Sequence, residues 1–388
     1  MQAEVQPPEK VCLLRLSAIG DTCHVVPLLR TLQVAWPRTR FTWVIGKLEA
    51  KLMSLIPDVE LITLDKGAGF GAYRRLREEM VRRGGFDLLL HLQLSIRASG
   101  AAAMIPAPLK LGFDKARARE LQWLFTNRRV AARQREHVLD SFMGFADALG
   151  VPRGPGPRWD IPLPAQALVY AEELVPDAQP TLLISACSSH ALRNWSPERY
   201  AAVADYAANK HGMRVILCGG PSMVERDMAA AIVKHARTPL VNQVAKDTLP
   251  QLLALLSRST VLLTPDSGPA HMATMVNTPV IGLYAATNPE RSGPYLSRRW
   301  CVDAYDAAAR KFLGKPAAEL AWTTKIEQPG VMDLIEVAAV TSRLALPVRF
   351  CAASGGIGKA KCASLVCIIA ARVLLSTTGR KVMLSTFG

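Results

Sequence analysis

One stretch constrains this chain more than any other: Leu262-Leu263-Thr264-Pro265-Asp266-Ser267-Gly268-Pro269-Ala270-His271-Met272-Ala273. An apolar run stops at an acidic residue, passes through Ser-Gly-Pro and enters a segment that reads as a helix. Asp266 or Ser267 is placed to cap that helix, and Pro269 fits its first turn. Small residues at a strand-to-helix junction leave backbone N–H groups free to meet an anion, and the helix dipole favours negative charge there. The junction therefore predicts an α/β protein that holds a phosphate at this point. A further strand follows in Thr278-Pro279-Val280-Ile281-Gly282-Leu283-Tyr284, then the turn-rich run Asn288 to Tyr295.

The rest of the chain repeats that alternation. Strands are predicted over Val11–Leu16, Phe41–Ile45, Val59–Leu64 and Asp87–Leu92. Helices are predicted between them over Asp21–Ala35, Leu48–Leu55 and Tyr73–Arg83. Lys110–Arg135 is basic and less regular. After the Gly/Pro-rich run Gly150–Pro157 the pattern restarts. Strands are expected over Thr181–Ser185, Arg214–Cys218 and Thr260–Thr264, and helices over Pro197–His211, Val224–Ala236, Thr248–Ser257 and Asp333–Leu346. Short apolar strands alternating with amphipathic helices argue parallel sheets covered on both faces. The linker divides 388 residues into two doubly wound units, 1–155 and 156–347, with ligands expected in the cleft at the carboxyl ends of the strands. Residues 348–388 form an atypical tail. Its Gly-rich run ending in Gly358-Lys359 fails the phosphate-loop pattern, which needs Gly at Ala353 and Ser or Thr at Ala360.

Charge narrows the partners. Lys and Arg number 47 against 32 Asp and Glu, a formal net charge of +15. That balance suits an anionic partner: phosphorylated substrates, an anionic membrane face or nucleic acid. Aromatics are sparse and not interleaved with basic runs, so nucleic acid is excluded. The Arg74, Arg75, Arg77, Arg82 and Arg83 cluster suits an anionic leaflet or an acceptor's charged head group. Eight cysteines lie at irregular spacings without metal-ligand pairs, and Cys12, Cys218 and Cys367 sit in apolar runs as small core residues. This usage suits a reducing compartment. The chain is read as cytoplasmic and peripheral on the cytoplasmic face of an inner membrane, with no metal or other cofactor.

Two further junctions carry polar residues. Arg15-Leu16-Ser17-Ala18-Ile19-Gly20-Asp21 ends the first strand, and His24 lies one turn on. Asp21 is either a helix cap or a carboxylate facing the cleft, where it can take a proton from a nucleophilic hydroxyl. Alone, His24 reads as a hydrogen-bonding structural residue. In the second unit, Ser188, Ser189 and Arg193 follow a strand, which suits a phosphate or a loop ended by the Ser196-Pro197 cap. His271 either faces that phosphate or packs inward.

Taken together, these residues resemble glycosyltransferase family 9, the heptosyltransferases of lipopolysaccharide core assembly, over roughly residues 10 to 345. The matching parts are Arg15 to Asp21, Arg193-Asn194-Trp195-Ser196-Pro197-Glu198, and Asp266 to His271 with Thr278-Pro279 and Gly293-Pro294-Tyr295. The resemblance is most like the heptosyltransferase I type. It implies a GT-B fold, two Rossmann-like domains with the acceptor on the first and the nucleotide sugar on the second. It implies an inverting transfer of heptose from ADP-heptose, as co-substrate, to a Kdo-lipid A or heptosyl-Kdo-lipid A acceptor.

On that resemblance Asp21 is the catalytic base. Ser188, Ser189, Arg193, Asp266, Ser267, Gly268 and His271 bind the donor, Arg193 standing where the family commonly has Lys. Gly20, His24, Arg97 and Arg119 lie on the acceptor side. Gln93 to Arg97, Ala118-Arg119-Glu120 and Phe125 to Arg128 resemble the family's acceptor segments. The alternatives are a nucleotide-sugar epimerase, a relative using another sugar donor or acceptor, and a non-catalytic binding module.

Overall fold

The computed structural model describes residues 7–65, 69–118 and 120–344. The tail from 348, Cys367 and Arg119 lie outside them. The first half builds six parallel strands: β1 (Lys10–Leu14), β2 (Arg40–Gly46), β3 (Glu60–Leu64), β4 (Leu88–His91), β5 (Leu109–Gly112) and β6 (Arg128–Arg129), in the order β3-β2-β1-β4-β5-β6. Its helices are α1 (Ile19–Ala35), α2 (Lys47–Met53), α3 (Gly69–Arg82), α4 (Ile96–Met104) and α5 (Val138–Ala148).

The second half repeats the plan. Its strands are β7 (Thr181–Ile184), β8 (Arg214–Leu217), β9 (Val241–Asn242), β10 (Val261–Pro265), β11 (Val280–Tyr284) and β12 (Val302–Asp303), in the order β12-β11-β10-β7-β8-β9. Its helices are α6 (Ala165–Leu174), α7 (Pro197–His211), α8 (Met223–His235), α9 (Leu249–Arg258), α10 (Gly268–Met275), the single turn α11 (Pro289–Ser292) and α12 (Tyr305–Leu313). Each order is that of a doubly wound sheet, reversing between β1 and β4 and between β7 and β10. The carboxyl ends at those reversals form crevices. The fold is α/β with two Rossmann-like halves, as expected.

The strands are apolar throughout because both faces are covered. In β1, Val11 and Leu13 enter one cluster while Cys12 and Leu14 enter another on the opposite face. The first of these clusters runs through α1, α5, α9 and α10 into β7 and β10, so one apolar core joins the two sheets. Trp159, just past the Gly/Pro-rich run, is buried and donates its indole N–H to the Cys23 carbonyl at 2.9 Å, fastening the connection to α1.

Boundaries follow local chemistry. Ser196 caps α7 by accepting the Arg199 N–H, and Thr248 and Gln251 form a capping box on α9. α1 begins at Ile19, so Asp21 lies inside its first turn and does not cap it. Ser267 is the cap residue of α10, but its hydroxyl pairs with Thr264 Oγ1 at 2.8 Å and not with the helix backbone. The expected helix from Asp333 is a 3-10 turn over Val331–Leu334 followed by helix over 337–344. The segments containing α4, α5, α6 and α12 were not predicted as helices. Cys12 and Cys218 are buried, as expected. Among the described residues, no helix is long and apolar enough to cross a membrane.

The carboxyl ends of β1 and β10 meet directly, since α1 packs on α10. A Cβ on Gly20 would lie 2.4 Å from His271 Cδ2, and one on Gly268 would lie 3.6 Å from Ile19 Cγ2. The His271 ring is itself buried and has no room to retreat. Gly20→Ala should therefore destabilise by about 1–3 kcal/mol through overpacking. Gly144→Ala in α5, where the added methyl meets nothing within 4 Å, should be stabilising by about 0.5–1 kcal/mol. Urea midpoints of the two variants check this, and a matching sign in both would contradict the contact.

Candidate active site

The first wall of the site is built by the loop after β1. Gln93, just past β4, accepts the Leu16 N–H at 2.7 Å and the Ser17 N–H at 3.3 Å, pinning that loop beside the neighbouring strand end. Gln122 braces Gln93 by donating to the His91 and Gln93 carbonyls at 2.9 and 3.3 Å. The loop delivers Asp21, whose side chain is 37% exposed, into an ion pair with the nearly buried Arg15. Arg15 also donates to the Leu92 carbonyl at 2.7 Å and lies over the Phe142 ring. The carboxylate is thus held in one orientation with an oxygen open to solvent, the arrangement a general base needs.

The second wall is the β10–α10 junction. Ser188 donates its hydroxyl to the Asp266 carbonyl at 2.8 Å, and its N–H is accepted by Asn194 Oδ1 at 2.7 Å. Ser292 donates to Asp266 Oδ2 at 3.4 Å. Arg193 donates twice to Glu327 Oε1, at 2.9 and 2.6 Å, and its Nη1 lies 3.9 Å from Asp266. Burial raises the Glu327 carboxyl, but the Arg193 hydrogen bonds and charge outweigh it and the net shift is downward. Glu327 therefore carries charge and holds the guanidinium beside Asp266, two residues before the start of α10. Ser189 is exposed beside them.

Between the walls lie three buried imidazoles. His24 stands edge-on to His271 at 4.4 Å and to His137 at 5.3 Å between ring centroids. His137 Nε2 donates to the Gly293 carbonyl at 2.8 Å, and its Nδ1 accepts the Leu139 N–H, which fixes the neutral tautomer. Tyr295 packs on His137 and donates to Asp140 at 2.9 Å. Among the described residues neither ring nitrogen of His24 has a hydrogen-bond partner, and the ring packs between His271 and His137. Burial drives the His24 and His271 pKa values down. The carboxylates of Asp266 and Asp21 both oppose the fall at His271, which places that ring within the field of both walls. His137 is pushed down to about 3 by burial.

Of the residues singled out in the sequence, the structure gathers Gly20, Asp21, His24 and His271 around one contact and Ser188, Arg193, Asp266, Ser267 and Gly268 around another beside it. Arg97 is exposed on the second residue of α4, farther along the same sheet edge. Arg15, Glu327, Asn194 and Ser292 were missed. Arg15 and Asn194 stand inside the sequence motifs, which give neither a role. Glu327 lies 134 residues from its partner, and no local pattern announces it. Among the described residues no cluster of His, Cys, Asp or Glu is arranged to hold a metal ion.

With this geometry in view, comparison with known proteins decides the family. Residues 73–323 match glycosyltransferase family 9 (heptosyltransferase). The chain belongs to that family, and it is a glycosyltransferase. It is 40% identical over 339 residues to the lipopolysaccharide core heptosyltransferase OpsX of Haemophilus influenzae, covering 87% of this chain and 97% of that one. The family 9 glycosyltransferase structure from Veillonella parvula superposes with a TM-score of 0.72 at 23% identity, over 88% of this chain and 97% of that one. The E. coli heptosyltransferase WaaC, solved with ADP, gives 0.62 at 22%, over 73% and 90%. Both share its GT-B fold.

The histidines give this family member an acid weakness. An imidazole whose native pKa lies below its unfolded value of 6.5 binds its proton more readily once unfolded. Its contribution to stability is complete above pH 6.5 and is lost progressively as pH falls towards about 3. Urea midpoints should therefore drop between pH 7.5 and pH 5 by an amount that His24→Leu reduces. An unchanged pH slope in that variant would contradict the assignment.

Proposed function

We propose that this glycosyltransferase moves a heptose from ADP-heptose to an inner-core lipopolysaccharide acceptor, Kdo-lipid A or heptosyl-Kdo-lipid A, with inversion at the anomeric carbon. The observation that carries the reading is the pairing of an oriented, half-open carboxylate on one sheet edge with the start of α10 and Arg193 on the other. Asp21 takes the proton of an acceptor hydroxyl as that oxygen attacks the anomeric carbon. The bond from that carbon to the diphosphate breaks, and ADP leaves with the electron pair. Negative charge grows on the leaving oxygen where the α10 amides and Arg193 lie, so stabilisation rises towards the transition state. Ser188, Ser189, Asp266, Ser267, Gly268 and His271 complete the donor side of this reading.

Family membership favours transfer over epimerisation, since a transferase needs both a base and a second substrate. The relatives supply the donor class: WaaC is solved with ADP, and OpsX is a lipopolysaccharide core enzyme. Arg97 and Arg119 are assigned to the anionic acceptor. Such an acceptor is anchored in a bilayer, so the enzyme works peripherally at the cytoplasmic face of the inner membrane, helped by its positive charge.

Release of ADP from ADP-heptose, with and without Kdo-lipid A, tests the reading. Wild-type release should require acceptor. Asp21→Asn should lose about 10²–10⁴-fold in kcat. Arg193→Ala should lose about 10²–10³-fold. Full activity in Asp21→Asn would remove the base assignment, and acceptor-independent turnover would remove transfer itself.

A further inference from the structure

Large apolar side chains stand exposed along one edge of the first sheet. Phe70 is 95% exposed, Ile96 51%, Leu121 52%, Trp123 40% and Leu124 58%. They come from three separate segments that the topology collects at the carboxyl edge of the parallel strands. Phe70 is in the first turn of α3, which follows β3. Ile96 opens α4, which follows β4. Leu121 to Leu124 follow β5. Asp21 follows β1 on that same edge. Hydrogen bonds tie the segments to each other and to the site: Tyr73 donates to the Arg97 carbonyl at 3.2 Å, Glu120 accepts the Ile96 N–H at 2.6 Å, and Gln93 links the β1 loop to Ser95.

The third segment is held out under strain. Glu120 and Leu121 both have left-handed backbones, with φ of 48° and 61°. Neither is glycine, and Leu121 gains no burial from the conformation. The neighbouring Gln122 is fully buried and saturated by Phe113 N–H and the His91 and Gln93 carbonyls, and it fixes the turn that presents Leu121, Trp123 and Leu124 outward. Strain that persists without local gain marks a functional surface. Around the rim Arg97, Lys115, Arg128 and Arg129 are exposed, and the Glu120 carboxylate accepts the Ile96 N–H. Apolar and tryptophan side chains ringed by cations complement an anionic bilayer interface, where the tails take the side chains and the head groups take the charge.

We propose that Phe70, Ile96, Leu121, Trp123 and Leu124 form a rim that inserts into the interface of an anionic bilayer and seats the Asp21 edge of the enzyme over a lipid-borne acceptor. This rests on the membrane-peripheral reading above and adds which residues enter the lipid. The rim and Asp21 share the carboxyl edge of the first sheet, so the acceptor sugar reaches Asp21 from the membrane.

The test uses the full chain with vesicles of phosphatidylethanolamine and phosphatidylglycerol, beside phosphatidylcholine alone. Wild type should float with the anionic vesicles and far less with the neutral ones. The L121S/W123S/L124S variant should lose at least about tenfold in partitioning. It should keep wild-type kcat and KM on a deacylated, soluble acceptor, which also reports that it is folded. If that variant fails to fold, F70S/I96S is expected to give the same loss.

Wild type that ignores anionic vesicles would remove the peripheral reading altogether. Wild type that binds while both rim variants bind equally well would leave that reading standing and overturn the rim. Concentration-dependent dimerisation of the wild type, abolished by the rim variants in sedimentation velocity, would assign the face to a second copy of the chain and overturn the proposal.

Discussion

Where α1 meets α10 there is no room for a single methyl group at Gly20, because the His271 ring fills the space a Cβ would occupy. That contact sets the distance between the two sheets. With it, the junctions after β1 and β10 face one another, and one apolar core runs from the first half into the second. The cost is three imidazoles packed without solvent, kept neutral by burial. Such a joint is expected to be firm at neutral pH and to weaken in acid, and it lies between the two walls of the candidate site.

Two arginines then divide the electrostatic work. Arg15 is spent on Asp21, orienting the carboxylate from behind while the backbone of the Leu92 region and Phe142 hold the guanidinium. Arg193 is anchored by Glu327 and reaches towards Asp266, so a cation already stands at the place proposed for the leaving diphosphate. Pre-placed charge of this kind needs no reorganisation when the bond breaks, which is where electrostatic catalysis gains its advantage. The proposed base on one half and the proposed anion site on the other suit a reaction joining two substrates.

The alternation of apolar strands with amphipathic helices made the double winding legible, and the strand-to-helix junction expected at Asp266–His271 is present between β10 and α10. Helix α4 escaped notice because Ile96–Met104 is mostly small residues with no apolar period, and α5 and α6 lay beside the Gly/Pro-rich run that dominated that region. Asp21 was visible as a residue but not as half of an ion pair, since the β1 loop must fold back before Arg15 can reach it. His24 carried no local sign that its partners would be two other rings from distant segments. The Arg193–Glu327 pair depends wholly on how the chain from β12 returns to the β7 loop.

The most direct measurement is a crystal structure of the enzyme with a non-transferable ADP-heptose analogue. The diphosphate is expected at the start of α10 beside Arg193, with the anomeric carbon facing the Asp21 carboxylate. A nucleotide whose diphosphate lies away from both α10 and Arg193, or a sugar turned away from Asp21, would contradict it.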